Sequence, residues 1–312
     1  MLVLGVILLA GGLALFLLPF SLAASTADEW KSPKIICMLV FGLVMLIGFA
    51  VVERYVAPKP FIPYRLLTDR TVLGACMVDF TYQIAYYCWY SYFTSFLQVV
   101  YSLSIAEAGY VGSTFDVVSG FWLLVVGYLI RRTGYFRWLL WIAVPLYLLG
   151  VGLMIHFRQP DQPVGFVIMC QIFIAFAGGT MIICQQVAVL SVASHNDAAA
   201  MLALLGVFGY VGGAIGNSIS GAIWTHILPN ELQRLLPADT VADWEAIYED
   251  LDLQLSYEKG TATRDAIIAA YSAAQSKMLI AGTAIMGLAL VWVAIIRNIK
   301  VSEVEQVKGL LF

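Results

Sequence analysis

Asp79, Gln83, Tyr86, Tyr90 and Thr94 follow one another at steps of four, three, four and four. On a helix those steps put a carboxylate, an amide, two phenols and a hydroxyl in one stripe. Tyr82, Tyr87 and Trp89 widen it with rings that carry a polar tip. The stripe lies in VLGACMVDFTYQIAYYCWYSYFTSFLQVV, residues 72–100, long enough to cross a bilayer, since about 20 helical residues suffice. Facing lipid, the carboxylate and the amide would lack partners, so the stripe is expected to face a protein interior or a wet cavity. An ionisable group inside a membrane is by default a functional-site hypothesis. The competing reading puts Asp79 near the water boundary, where it hydrogen-bonds a neighbouring helix.

Other chemistry-bearing residues are scattered through apolar runs. Asp116 lies within DVVSGFWLLVVGYLIRRTG, which ends on Arg131 and Arg132. Two arginines at a helix end favour the helix dipole and can pair with carboxylates of a neighbouring bundle. Gln185 and Gln186 face different directions on one helix, so one can line a cavity while the other ties helices together. Asn217 is a further cavity candidate. Gly209/Gly213 and Gly212/Gly216 are small-xxx-small pairs, a packing signal.

Composition says what must position these groups. Of 312 residues, 61% are hydrophobic and 12% charged, and the mean hydropathy is +0.87. A soluble domain carries about 25% charged residues, so an all-α polytopic membrane protein is expected. The net charge of −3 comes without any basic block, which gives no support to nucleic-acid binding. There is no nucleotide-binding loop, HExxH, GxSxG or CxxC, and His156, His195 and His226 are far apart. An enzyme, a cofactor and a metal site therefore have no support. Cys37, Cys76, Cys88, Cys170 and Cys184 sit singly in apolar runs and read as buried thiols.

Eight spans are expected, at about 2–22, 34–52, 72–99, 107–130, 137–156, 164–190, 199–227 and 277–296. The first run lacks a basic lead and is too long for a signal peptide's apolar core. Lys and Arg mark the cytoplasmic side. Three alternate connections, with Arg54, Lys59, Arg65 and Arg70, then Arg131, Arg132 and Arg137, then Arg297, Lys300 and Lys308, hold ten of the 17 basic residues. Both termini are thus expected in the cytoplasm. The segment 228–277 is a long outer loop, with a short helix opening at Pro229, a second helix capped by Asp239 or Thr240 over VADWEAIYEDLDLQL, and a third capped by Thr263. It reads as a compact helical hat over the outer mouth, or as a solvated connector.

Several strings together resemble the fungal siderophore–iron transporters of the major facilitator superfamily. They are TVLGACMVDFTYQIAYYCWYSYFTSFLQVVYSLSIAEAGYVGSTF, GYLIRRTGYFRWLLWIAVPLYLLGVGLMIHFRQPDQPVG, GAIWTHILPNELQRLLP and IYEDLDLQLSY. GYLIRRTG resembles the inter-helix loop motif of that superfamily, whose basic residues belong to a cytoplasmic gate. The resemblance spans nearly the whole chain and implies a fourteen-span importer of ferric siderophores, driven by protons without ATP. It implies two central helices in 1–56, a cytoplasmic linker in 57–71, the C-terminal six-helix half in 72–300 and a cytoplasmic tail in 301–312. The N-terminal six-helix half, on the same or a separate chain, would be the missing partner, and the apolar start at Met1 fits a fragment. Alternating access rocks two halves around a midplane site.

On this reading Tyr82, Gln83, Tyr86, Tyr90, Gln185, Gln186 and Asn217 would bind substrate. Asp79 and Asp116 would couple protons, Arg131 and Arg132 would close the cytoplasmic gate, and Tyr248, Glu249, Asp250 and Tyr257 would cap the cargo. The ferric ion arrives already chelated, so no metal ligand is expected of the protein. Members often carry a carboxylate before the sixth-span glutamine; here Gln185 stands there, and an amide cannot titrate. The membrane would be the plasma membrane or an endosomal vesicle. A drug or small-metabolite exporter, and a truncated membrane protein that does not transport, are the alternatives.

Overall fold

A computed structural model describes residues 2–22, 29–55, 66 and 68–303. Most of the expected linker 57–71 and tail 301–312, with Lys59, Arg65 and Lys308, lies outside them. The described apolar runs are all helical: α1 (Leu2–Leu22), α2 (Pro33–Tyr55), α3 (Arg70–Tyr90), α4 (Phe93–Tyr101), α5 (Ile105–Gly112), α6 (Thr114–Thr133), α7 (Arg137–Phe157), α8 (Val164–Leu190), α9 (Ala198–Leu235), α10 (Trp244–Glu249), α11 (Leu251–Ser256), α12 (Ala262–Met286) and α13 (Ala289–Ile295). Six stretches, 33–55, 105–133, 137–157, 164–190, 198–235 and 262–295, are long and apolar enough to cross a membrane. The expected first and third spans correspond to α1 and α3, each 21 residues long.

The polar stripe sits on a helix enclosed by four others. α3 packs against α8, α9, α12 and α13. Small residues bring the backbones together: a Cβ at Gly282 of α12 would stand 2.8 Å from the Ala85 carbonyl oxygen. The N-terminus of α3 is fixed by Asp69, whose Oδ1 accepts from the Thr71 N–H at 2.7 Å while Oδ2 pairs with Arg297 at 3.2 Å. Behind α3, α8 packs on α6 and α7. α1 and α2 form a pair, and α1 also leans on α9. α2 turns Phe41, Val44 and Ile47 outward, a surface suited to lipid.

Three expected boundaries are corrected. First, the span 72–99 is broken at Ser91–Tyr92, between α3 and α4. Arg158 donates to the freed carbonyl of Trp89 at 3.3 Å, and Gln275 donates at 3.1 Å to the Tyr92 carbonyl, which also takes the Phe96 N–H at the start of α4. Broken helices persist in a bilayer where neighbours satisfy the backbone in this way. The stripe therefore ends at Tyr90, and Thr94 is exposed on another helix. Second, the span 107–130 breaks at Ser113, after α5 has been started by a capping box of Ser104 and Glu107.

Third, the outer loop is not 228–277. α9 continues through Pro229 to Leu235, because Trp224, Leu228, Leu232 and Leu236 keep one buried face at steps of four. α12 already begins at Ala262, capped by Thr261 rather than Thr263. Arg264, in its first turn, is buried and donates to the carbonyls of Gln254 and Val99. Residues 236–261 remain as the hat. Its expected single helix is split at Asp250, which caps α11 by accepting from the N–H groups of Asp252 and Leu253. Ile247 of α10 joins Phe96, Val99, Leu232 and Ile267 in a second apolar core, so the hat is packed onto α4, α9 and α12.

At the opposite end, Arg137 donates to the carbonyls of Val293 and Ala294, and the Val301 N–H donates to the Gly134 carbonyl at 2.8 Å. These contacts tie the loop between α6 and α7 to the end of α13 and the segment that follows it.

Candidate functional site: a buried carboxylate beside an aromatic wall

Asp79 lies midway along α3, 7% exposed, and is the only buried carboxylate among the described residues. With the Gln185 amide oriented nitrogen toward the carboxylate, it donates to Asp79 Oδ1 at 3.1 Å. Its oxygen accepts from the Asp79 backbone N–H at 3.2 Å. Gln185 is 1% exposed on α8, so this two-point contact joins α8 to α3. The third side is α9. A Cβ at Gly209 would stand 2.5 Å from Asp79 Oδ2; only glycine leaves room for that oxygen. No lysine or arginine pairs with Asp79 among the described residues. A carboxyl held by an amide on one oxygen keeps a hydrogen-bond partner whether or not it carries a proton.

Along the same helix Tyr82, Tyr86 and Tyr90 build a wall. Tyr86 stacks on Tyr90 at 4.8 Å between ring centroids, and meets Phe115 at 5.2 Å and Trp89 at 5.5 Å. Tyr82 is 2% exposed and meets Tyr147 of α7 edge-on at 5.5 Å. Such pairs add about 0.5–1.5 kcal/mol each beyond the area they bury. Gly178 of α8 admits the wall: a Cβ there would stand 2.9 Å from both the Tyr82 hydroxyl oxygen and Phe115 Cε2. Asp116, exposed in the first turn of α6, is within electrostatic reach of Tyr82, Tyr86 and Tyr90.

Gln83 faces the other flank of α3. With Tyr87, Gly209, Gly213 and Asn217 it lines a cavity of about 560 Å³ that α1 closes with Ala14, Leu17 and Leu18. Asn217 accepts from the Ser91 hydroxyl at 2.7 Å, at the break between α3 and α4. The expected substrate residues are thus gathered along α3, but on two flanks. Gln186 is exposed and takes no part in the Asp79 junction.

Two expected groups lie apart. Arg131 and Arg132 are exposed at the last turn of α6, next to the tied loop at 134–137. Tyr248, Glu249, Asp250 and Tyr257 belong to the hat. Burial, with the Glu249 carboxylate adding to it, holds the Tyr248 hydroxyl's pKa above its ordinary value. Asp250 is occupied as a helix cap. Tyr257 lines a separate cavity of about 320 Å³ with Gln98, Lys259 and Arg264.

Sequence reasoning placed Trp89 in the stripe but missed its partner Tyr147, along with Gly178 and Arg158, and read Gly209 as helix packing alone. Trp89 donates from Nε1 to the Tyr147 hydroxyl at 3.4 Å. The partners are 58 residues apart, and no local pattern announces such a pair.

A family model described as the Major Facilitator Superfamily matches residues 1–217. The chain belongs to the major facilitator superfamily. Among relatives in that superfamily, it is 66% identical over 310 residues to MFS siderochrome iron transporter D of Aspergillus fumigatus, covering 99% of this chain and 52% of the relative. To the siderophore iron transporter mirB of Emericella nidulans it is 54% identical, over 99% of this chain and 51% of the relative. The chain spans about half the length of the curated relatives it matches. Its fold is like that of a bacterial homologue of the human lysosomal transporter Spinster, crystallised inward-facing and unoccupied. That match has a TM-score of 0.54 at 14% identity, over 92% of this chain and 67% of that one. With its helices and family together, this is a multi-pass membrane protein.

Proposed function

We propose that the chain is the C-terminal part of a proton-coupled importer of ferric siderophores. The observation that carries this reading is the 66% identity, sustained over 99% of the chain, to a protein named a siderochrome iron transporter. The geometry supports it in two ways. A chelated ferric ion needs no ligands from the protein; it needs a large amphipathic surface, which rigid aromatic rings offer at modest entropic cost. Tyr82, Tyr86 and Tyr90 supply that surface, with Gln83 and Asn217 on the second flank. Asp79, buried without a cation, is the group that takes up the coupling proton. Its contacts with Gln185 and Gly209 make any change in its position felt by α8 and α9 at once. Asp116 borders the tyrosine wall and acts as a secondary carboxylate at its rim.

In this reading α1 and α2 are the central pair, 72–300 is the C-terminal half, and both termini lie in the cytoplasm. The hat then faces outside and filters cargo through Tyr248 and Tyr257. Arg131 and Arg132 close the cytoplasmic side. The other half of the transporter belongs to the rest of the same protein or to a separate chain, and the bilayer is that of the plasma membrane or an endosomal vesicle.

The test uses cells that lack their own siderophore importers, expressing the protein at its full natural length. Growth on a ferric siderophore as sole iron source should be restored. Excess ferric siderophore should compete with uptake, and the metal-free ligand should not. No growth on any ferric siderophore tried, with the protein present at the membrane, would refute the proposal.

A further inference from the structure

Arg158 follows the apolar run of α7 and precedes Gln159-Pro160. A basic residue at such a helix end ordinarily extends its head to water. Here it does the reverse. It is 1% exposed, with its guanidinium carbon 4.5 Å from the ring centroids of both Phe93 and Phe96 and 5.8 Å from Trp89. Nη1 donates to the Trp89 carbonyl at 3.3 Å, whereas Nε and Nη2 have no partner. No carboxylate pairs with it among the described residues. A buried charge with two unsatisfied donors is expensive, so stability alone does not account for an arginine at this place.

What the guanidinium holds is the end of α3. The break at Ser91–Tyr92 frees the Trp89 carbonyl, and Arg158 is the side chain that takes it. Trp89 is also the hub of the tyrosine wall. Its ring lies 5.5 Å from Tyr86 and 5.6 Å from Tyr90, both close to perpendicular, and its Nε1 donates to Tyr147, which in turn meets Tyr82. The same guanidinium packs on Phe93 and Phe96 of α4. One side chain thus sets the backbone at the break, the helix beyond it and the ring against which the wall is stacked.

We propose that Arg158 is a positioning residue: from the turn between α7 and α8 it fixes the α3–α4 break and, through Trp89, the ring geometry of Tyr86 and Tyr90. The link to transport rests on the proposed function; the link to geometry does not.

The experiment compares Arg158, Arg158→Lys and Arg158→Met in the full-length protein. Each is made in a Cys37→Ser background that carries Tyr90→Cys as a probe, and again with Tyr90 intact. A maleimide reports the reactivity of the probe, thermal unfolding reports stability, and concentration-dependent uptake reports KM and maximal rate. Methionine has about the volume of the buried arginine stem and leaves no charge behind; that gain offsets the bond lost to the Trp89 carbonyl, so Arg158→Met should melt within a few degrees of the parent. The same change should alter the probe's labelling rate at least fivefold, with Arg158→Lys intermediate. With Tyr90 intact it should raise KM for ferric siderophore about tenfold with a smaller effect on maximal rate. An unchanged labelling rate in Arg158→Met overturns the inference. So does a marked fall in melting temperature, which would make Arg158 a support of the fold. If the unmodified protein takes up no ferric siderophore, the proposed function fails, and the labelling rate still decides the role of Arg158.

Discussion

Gly209→Ala puts the Asp79 junction to a quantitative test. The new methyl would start 2.5 Å from Asp79 Oδ2, 3.4 Å from its Cγ and 3.6 Å from Gln83 Cγ. Two relaxations are open. The carboxylate can turn away, which breaks its bond with Gln185, at about 1.5–3 kcal/mol for a bond to a charged group. Alternatively α9 can back away from α3, loosening the contacts of Gly212 with Phe80 and of Gly216 with Ile84; overpacking of this kind costs about 1–3 kcal/mol. Against either stands a gain of about 1 kcal/mol from replacing glycine by alanine in a helix. The net loss is then about 0–2 kcal/mol, a fall of at most a few degrees in melting temperature. The neighbouring Gly206→Ala is the control. Its methyl meets nothing nearer than Tyr210 at 3.9 Å, so the variant should be neutral or more stable. The assay is thermal unfolding of the purified full-length protein in detergent, run as a double-mutant cycle with Asp79→Ala. Without the carboxylate, Gly209→Ala should lose its penalty and keep the helix gain, giving a coupling of about 1–3 kcal/mol. Additive effects would refute the placement of Asp79 Oδ2 against Gly209.

Asp79→Asn preserves the shape and the contact with Gln185 but removes the titrating group, so uptake should lose its dependence on external pH; a pH profile like the parent's would remove Asp79 as the coupler. Gly178→Ala places a methyl 2.9 Å from the Tyr82 hydroxyl oxygen and should raise KM for the cargo about tenfold, near 1.4 kcal/mol. Gly120→Ala, with open space around it, should leave KM as it was, and equal values for the two variants would contradict the wall. Asp250→Ala removes the cap of α11 at about 1 kcal/mol. Amide hydrogen exchange in 251–256 should speed up about fivefold, and unchanged exchange would show that the cap does not hold the hat.

The parts of this fold legible in sequence are those set by local pattern. α8 begins at Val164 and ends at Leu190 as expected, because nothing polar enough interrupts its apolar run. Asp79 stood out for the same reason: a carboxylate in such a run needs an explanation. The breaks were not legible. Neither Ser91 nor Tyr92 is a proline or glycine, and the Trp89 carbonyl that the break leaves open is taken by Arg158, 69 residues away. The helix that opens near Arg264 is legible from its cap, but the burial of Arg264 is not, since it depends on the carbonyls of Gln254 and Val99. Gly209 was read as a packing glycine, which is half of its role. What it packs against is a carboxylate oxygen, and that depends on the register of α9 along α3, which neither helix encodes alone.

α9 is one continuous helix of 38 residues, about 57 Å long, roughly twice the thickness of a bilayer's hydrocarbon core. It touches the Asp79 carboxylate at Gly209 and enters the hat core at Leu232. Those two points are separated by about 35 Å of helix. The helix is therefore a lever arm: a tilt of about 5° about Gly209 carries the hat end through about 3 Å. A rearrangement at one carboxylate too small to see at the site is magnified where the helix leaves the membrane. On the proposed function, the hat is then a pointer on which a change at Asp79 would be read from the water phase.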